Sequence, residues 1–138
     1  MPGIVHISET ISLALHSMVF IADSGKDIVN VKEISAAMGC SEAHLVKVLQ
    51  RLVRAGFLYS MRGPKGGFGL TKKPESITLL DIYQVFEGSP ALTGCPTHHQ
   101  SCPFKSCVFG GLPGKLNQEF MAYLSQKKIS EFCCKDFF

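Results

Sequence analysis

The stretch from residue 41 to residue 70 constrains the fold most, because its periodicity changes from helical to extended part-way along. Its first half carries apolar residues at helical spacing, namely Leu45, Val48, Leu49 and Leu52. That spacing predicts an amphipathic helix. Ser41 is a residue type that caps helix starts, and Gly56 stands where a left-handed residue commonly ends one.

The second half of this stretch has the pattern of a β-hairpin. Phe57 and Tyr59, followed by Phe68 and Leu70, alternate as in half-buried strands. The glycine-rich run 63–67 between them predicts the connecting turn. A helix followed by such a hairpin is the arrangement of a winged helix-turn-helix.

Basic residues are concentrated in the same part of the chain. Between Ala43 and Pro74 lie seven Lys/Arg, half of the 14 in the chain, and no Asp or Glu. The net charge of +3 is mild, but a patch of one sign focuses a field that the net charge hides. We therefore favour DNA binding over the alternative of a merely solvated basic helix.

The flanking sequence predicts further helices. One is expected over 8–24, capped by Ser8, and a second over 31–39. The second leads through a tight turn at Cys40 and Ser41 into the amphipathic helix described above, which is the recognition helix of the predicted helix-turn-helix. After the hairpin, Thr78 and Asp81 form a capping box for a helix that runs to about residue 87. A last helix is expected over 113–127, followed by a short turn capped by Ser130, with Phe132 in the core.

These predictions give a mainly α fold with a small β-hairpin, a winged helix-turn-helix plus a long dimerisation helix. We expect a DNA-binding domain over 1–88, a cysteine-rich segment over 89–112, and the dimerisation helix with its tail over 113–138. A chain of 138 residues with 46% apolar content suits one domain or one domain with a dimerisation arm. No secretory signal or apolar run of membrane-spanning length is evident, so we expect a cytoplasmic protein with no membrane partner.

The DNA-contacting residues are predicted from their positions. The first two turns of the recognition helix can reach base edges, and they contain Ser41, Glu42, Ala43, His44 and Lys47. Lys47 is suited to guanine, and His44 to a base or a phosphate. Arg51 and Arg54 lie farther along the helix and suit phosphates or solvent. Arg62 and Lys65 in the turn of the hairpin would face the minor groove or its phosphates.

Six cysteines in a chain without an export signal favour metal or redox chemistry over structural disulfides. Cys95, Cys102 and Cys107 are spaced so that their thiolates could share zinc or an iron–sulfur cluster. Candidates for a fourth ligand are His98 and His99 within the segment, or residues of the first helix, which in a dimer could belong to the partner subunit: His16, Ser12 and Glu9. We interpret Cys40 as an apolar core residue, and one of Cys133 and Cys134 as a possible redox thiol.

The chain resembles the IscR/NsrR-like iron–sulfur winged-helix transcription regulators over nearly its whole length. The resemblance rests on Ile11–Ala22, on Ser41–Lys47 with Leu52–Phe57, on the wing motif Arg62–Leu70, on Ile77–Tyr83, on the three cysteines and on Ile129–Phe132. It implies a homodimer on a pseudo-palindromic promoter site, with a 2Fe–2S or 4Fe–4S cluster that senses redox state, nitric oxide or iron–sulfur supply. Cys95, Cys102 and Cys107 match the family's ligands by position, and His16 aligns with a ligand used by one subgroup.

Two alternatives remain beside this hypothesis. The same fold could serve a cluster-free, zinc- or thiol-based DNA-binding regulator. A small electron-transfer or metal-handling enzyme is disfavoured, because the sequence shows no evident nucleophile–base pair. The run 63–67 also lacks the Lys-Ser/Thr that a nucleotide-binding loop needs.

Overall fold

The structure, a computed structural model, describes residues 7–88 and 102–133. In these ranges a β-hairpin stands between the third and fourth of five helices. The elements are α1 (Glu9–Asp23), α2 (Val31–Met38), α3 (Glu42–Arg54), β1 (Leu58–Met61), β2 (Gly67–Leu70), α4 (Leu79–Glu87) and α5 (Leu112–Gln126). Short 3-10 helices occupy Pro74–Ser76 and Ile129–Phe132. The predicted class, mainly α with a small hairpin, is confirmed.

Side-chain caps fix where the predicted helices begin. The Ser8 hydroxyl accepts a hydrogen bond from the Ile11 N–H at 3.2 Å at the start of α1. Thr78 and Asp81 form the predicted capping box of α4, with hydrogen bonds of 3.1 Å and 3.0 Å between each side chain and the other residue's N–H. Each cap satisfies N–H groups that have no partner within the helix.

The recognition helix α3 ends in a Schellman motif. The Gly56 N–H donates to the Val53 carbonyl, and the Phe57 N–H donates to the Leu52 carbonyl, both at 3.0 Å. Gly56 has the positive φ of 90° that this ending requires. The prediction of a terminating glycine is therefore confirmed.

The hairpin buries a different residue from the one that the sequence alternation indicates. Leu58 in β1 is 1% exposed, whereas Tyr59 is 37% exposed. Tyr59 instead donates its hydroxyl to the carbonyl of Asp27 at 3.2 Å. This bond draws the ring to the outer face of the hairpin, against the segment that connects α1 to α2.

That connecting segment forms an isolated antiparallel β-bridge with the hairpin. Val29 and Phe68 exchange two backbone hydrogen bonds of 2.9 Å. Val29 is fully buried, so this bridge ties the base of the wing to the core.

A single hydrophobic core joins the winged domain to α5. Its buried side chains come from all five helices, from the hairpin and from three positions between or after these elements: Leu13, Ala14, Met18, Ile21, Val29, Ile34, Leu45, Val48, Leu49, Leu52, Leu58, Phe68, Ile77, Leu79, Ile82, Leu124 and Ile129. Because Leu124 and Ile129 belong to this core, α5 and the turn after it pack directly on the winged domain. The division at residues 88 and 112 remains a prediction.

Backbone hydrogen bonds hold the end of α5 beside the start of α4. The Leu79 N–H donates to the Lys127 carbonyl and the Ile129 N–H to the Ile77 carbonyl, both at 2.9 Å. Farther along, the rings of Tyr83 and Phe120 meet edge to face with 5.7 Å between centroids. Helices α4 and α5 therefore form one unit.

Two details of the final turn differ from prediction. The 3-10 helix begins at Ile129, so Ser130 lies inside it and cannot cap it. Its start is held by the Glu131 carboxylate, which accepts from the Lys128 N–H at 2.7 Å. Phe132 is 38% exposed and not in the core.

Among the helices of the described ranges, none has both the length and the apolar character needed to cross a lipid bilayer.

Candidate nucleic-acid interface and cysteine segment

The apolar face of α3 is buried and its polar face is open to solvent. Leu45, Val48, Leu49 and Leu52 are each 2% exposed or less. On the open face, Ser41 and Lys47 are exposed and His44 is half-buried. The Ser41 hydroxyl oxygen accepts from the His44 N–H at 3.2 Å, so its O–H remains available as a donor. The N-terminal end of α3 thus presents donors, as base readout in a major groove requires.

The turn of the wing projects two basic side chains. Arg62 and Lys65 are both exposed in the five residues between β1 and β2. The Gly66 N–H donates to the Gly63 carbonyl at 2.9 Å and closes the turn. Gly63 has a φ of 108°, which L side chains rarely adopt. This compact turn leaves both cations at its tip.

Arg51 has a specific contact that sequence reasoning missed. Its Nη2 donates to the Val85 carbonyl at 3.0 Å. Its guanidinium carbon lies 4.5 Å from the centroid of the Phe86 ring, a cation–π arrangement. The phosphate contact of Arg51 remains a prediction. In the structure its guanidinium contacts α4.

All seven basic side chains between Ala43 and Pro74 are exposed: Lys47, Arg51, Arg54, Arg62, Lys65, Lys72 and Lys73. The stretch from Ala43 to Pro74 contains no acid, so the surface of α3 beyond Glu42 and the tip of the wing are basic. A surface of this kind suits the phosphate backbone of a nucleic acid.

The cysteine segment is described in part. Cys102 and Cys107 are exposed, while Cys95, His98 and His99 lie outside the described residues. The Cys107 carbonyl accepts from the Gly110 N–H at 3.0 Å in the turn that leads into α5. Within the described ranges, no three His, Cys, Asp or Glu side chains come together in a metal-binding group. The predicted ligand set is therefore untested.

His16 is exposed on α1 and held by its own helix. Its Nδ1 lies 2.6 Å from the Ser12 carbonyl oxygen. Because a carbonyl can only accept, this bond requires a hydrogen on Nδ1, and in the neutral ring the lone pair is then on Nε2. His16 lines an open, mostly apolar groove of about 390 Å³ between α1 and α5, to which Tyr123 and Phe132 also contribute.

The other two described cysteines occupy structural positions. Cys40, in the turn between α2 and α3, is half-buried and packs against the core, which is less buried than predicted. Cys133 is also half-buried, with its Sγ 3.7 Å from the Ile129 carbonyl oxygen. Cys134 lies outside the described residues.

The sequence pattern of one known family covers nearly all of the chain. This family, Rrf2, described as iron-dependent transcriptional regulators, matches residues 7–135. The chain belongs to the Rrf2 family. Rrf2 proteins are DNA-binding transcription regulators and not enzymes, so the enzyme alternative is excluded and the predicted resemblance is confirmed.

Individual comparisons agree with the Rrf2 assignment. The chain is 30% identical to the HTH-type transcriptional regulator NsrR of Bacillus licheniformis over 112 residues, which are 80% of this chain and 78% of that protein. It spans 55% and 59% of the length of the first curated relatives that it matches.

Solved structures show the same fold. CymR of B. subtilis, called the global cysteine regulator, superimposes with a TM-score of 0.73 at 23% identity, covering 92% of this chain and 95% of that one. IscR of T. potens superimposes with a TM-score of 0.72 at 24% identity, covering 97% and 89%. At these identities the likeness concerns the fold alone.

Proposed function

We propose that this Rrf2 regulator is a homodimer that binds a pseudo-palindromic promoter site, and that an iron–sulfur cluster on its cysteine segment modulates its DNA affinity. The observation that carries the DNA-binding part is the position of the exposed basic residues. Three lie on α3, two at the tip of the wing and two just after β2, and the stretch from Ala43 to Pro74 contains no acid. In this proposal Ser41, His44 and Lys47 contact bases, and Arg62 and Lys65 contact the minor groove or its phosphates.

The proposed dimer uses the apolar side chains that α5 exposes. Leu112, Leu116 and Tyr123 are 54%, 43% and 47% exposed. Their spacing of four and then seven residues places them on one side of the helix. A second copy of α5 would cover this stripe. Pairing α5 would also set the distance between two recognition helices, which must be about 34 Å or a multiple of it on one face of DNA.

The cofactor proposal rests on the chemistry of the donor set. Cys102 and Cys107 are exposed thiols with four residues between them in a segment that leads into α5. Together with Cys95 they supply three thiolates, the ligand type that holds iron–sulfur clusters. A bound cluster would supply a centre whose oxidation state and integrity respond to oxidants, nitric oxide and iron supply.

His16 is the proposed fourth ligand, from the same or the partner subunit. The bond from Nδ1 to the Ser12 carbonyl fixes the ring and its tautomer. It leaves Nε2 as the coordinating atom, which is the usual outer-shell arrangement of a metal-binding histidine.

An iron and sulfide count on anaerobically purified protein tests the cofactor proposal. We expect a coloured protein with equal iron and sulfide, and loss of both in Cys102→Ala. Cys40→Ala is the matched control, since it removes a thiol outside the segment. Zinc in place of iron, or a metal-free protein with a reversible disulfide, would contradict the cluster and favour the zinc- or thiol-based alternative.

A further inference from the structure

Arg51 ties the recognition helix to the end of α4. At about 1.5 Å per residue, it lies about 14 Å along α3 from Glu42. Its contacts with α4 therefore lie well away from the end of α3 that would enter the major groove. The hydrogen bond to the Val85 carbonyl is 3.0 Å, and the guanidinium lies over the ring of Phe86.

The acceptor is one of the carbonyls that have no partner within their own helix, because they lie in its last turn. Val85 lies in the last turn of α4, which ends at Glu87 with Gly88 as its C-cap. A cation at this end also complements the negative pole of the helix dipole. Arg51 thus caps α4 while remaining part of α3.

The last turn of α4 has a particular place in the chain. The segment that carries the first of the three cysteines begins directly after Gly88. The same helix contacts α5 through the edge-to-face pair of Tyr83 and Phe120. A shift of the cysteine segment or of α5 would therefore move the carbonyl to which Arg51 is bonded.

We infer that Arg51 is a positioning residue that couples the recognition helix to α4, so that the position of α3 on DNA follows the state of the segment leaving α4. This inference rests on the proposed DNA binding and assigns Arg51 a role other than neutralising a phosphate. A planar guanidinium is needed, because it can donate to a carbonyl and stack on a ring at the same time. A lysine keeps the charge but loses that combination.

Reciprocity supplies a test that does not depend on the cofactor. If the last turn of α4 influences DNA binding, DNA binding must influence that turn by the same factor. Hydrogen exchange of the backbone amides of residues 84–88, measured with and without a DNA duplex selected by the wild-type protein from a random pool, reports this coupling. In the wild-type protein, the exchange rate of these amides should fall about fivefold or more when DNA is bound.

In the Arg51→Lys variant, DNA should no longer slow the exchange of these amides. The variant should stay folded and bind the duplex with the same salt dependence as the wild-type protein. In the Phe86→Leu variant, which keeps the arginine but removes the ring, DNA should slow the exchange of these amides less than it does in the wild-type protein. Arg54→Gln is the control, since it removes an exposed arginine from the same helix turn. It should retain the slowing.

Three results would overturn the inference. Arg51→Lys could retain the full slowing, or DNA could leave exchange in wild type unchanged. DNA could also accelerate exchange, which would mean that Arg51 leaves Val85 for a phosphate. If wild-type protein binds no DNA at all, the proposed function fails and the inference fails with it.

Discussion

At the scale of single residues, the glycines of the wing serve packing as well as the turn. A Cβ on Gly67 would overlap the Val29 carbonyl, and a Cβ on Gly69 would overlap the Asp27 carbonyl and the ring of Tyr59. Both positions lie where the segment between α1 and α2 presses against β2. The sequence indicated these glycines as parts of a hairpin, but it could not show which backbone approaches them.

Replacing Gly69 by alanine should therefore destabilise the protein by about 1–3 kcal/mol, as expected when extra volume enters a close contact. Urea denaturation measures the change. Ser60→Ala, at an exposed position of the opposite strand, should change the free energy of unfolding by no more than about 0.5 kcal/mol. Equal stabilities of the two variants would show that β2 does not pack on the Asp27 segment as described.

Tyr83 makes stability depend on alkaline pH. Burial, with a smaller contribution from the Glu87 carboxylate, raises the pKa of the Tyr83 hydroxyl above its ordinary value of 10.0. Above that pH the unfolded chain ionises this group before the folded chain does. Its contribution is complete below pH 10.0 and is lost as the pH rises through the folded-state pKa.

Tyr83→Phe should consequently lose less stability than wild type between neutral pH and about pH 11. Denaturation curves at a series of pH values measure the difference. The same pH dependence in Tyr83→Phe and wild type would contradict the assignment.

At the scale of elements, the sequence predicts the helices well because their ends depend on local chemistry. Ser8, Ser41 and Thr78 cap the helices that they were predicted to cap, and Gly56 ends α3. The errors arise where a distant segment decides the outcome. The outward orientation of Tyr59 depends on its hydrogen bond to the Asp27 carbonyl. The start of the final turn depends on Ile77, whose carbonyl accepts a hydrogen bond from the Ile129 N–H.

In the candidate interface too, the sequence predicts the features that depend on local pattern and misses the contact that depends on tertiary packing. The exposed basic face follows from helical periodicity and from composition. The bond of Arg51 to the Val85 carbonyl does not, because an arginine at that position suits phosphate, solvent or a neighbouring helix equally well from sequence alone. The charge pattern could suggest a contact, but only packing selects the partner.

The wing can be tested as an element of its own. Arg62→Ala and Lys65→Ala should each weaken binding to the selected duplex and lower the slope of log affinity against log salt by about 1. Lys26→Ala is the control, because Lys26 lies outside the basic stretch and its ammonium is paired with the Glu33 carboxylate at 3.1 Å. It should leave both quantities unchanged. An unaltered affinity and slope in the two wing variants would exclude the wing from the interface.

At the scale of the whole molecule, the cysteine segment connects two helices that pack on each other. It leaves α4 beyond Gly88 and enters α5 at Leu112, and both helices share the core with the DNA-binding elements. We propose that a change in the segment reaches the recognition helix through α4 and the dimer contact through α5. The sequence gives the three thiols and their spacing, but their gathering around one centre depends on long-range structure that spacing does not determine.

The most direct test of this account compares the DNA affinity of one anaerobic preparation before and after its cluster is removed. The probe is a duplex with two half-sites, selected by the wild-type protein. We predict that the two affinities differ about fivefold or more, and that Cys102→Ala gives the cluster-free value in both conditions. Equal affinities with and without the cluster would contradict the account.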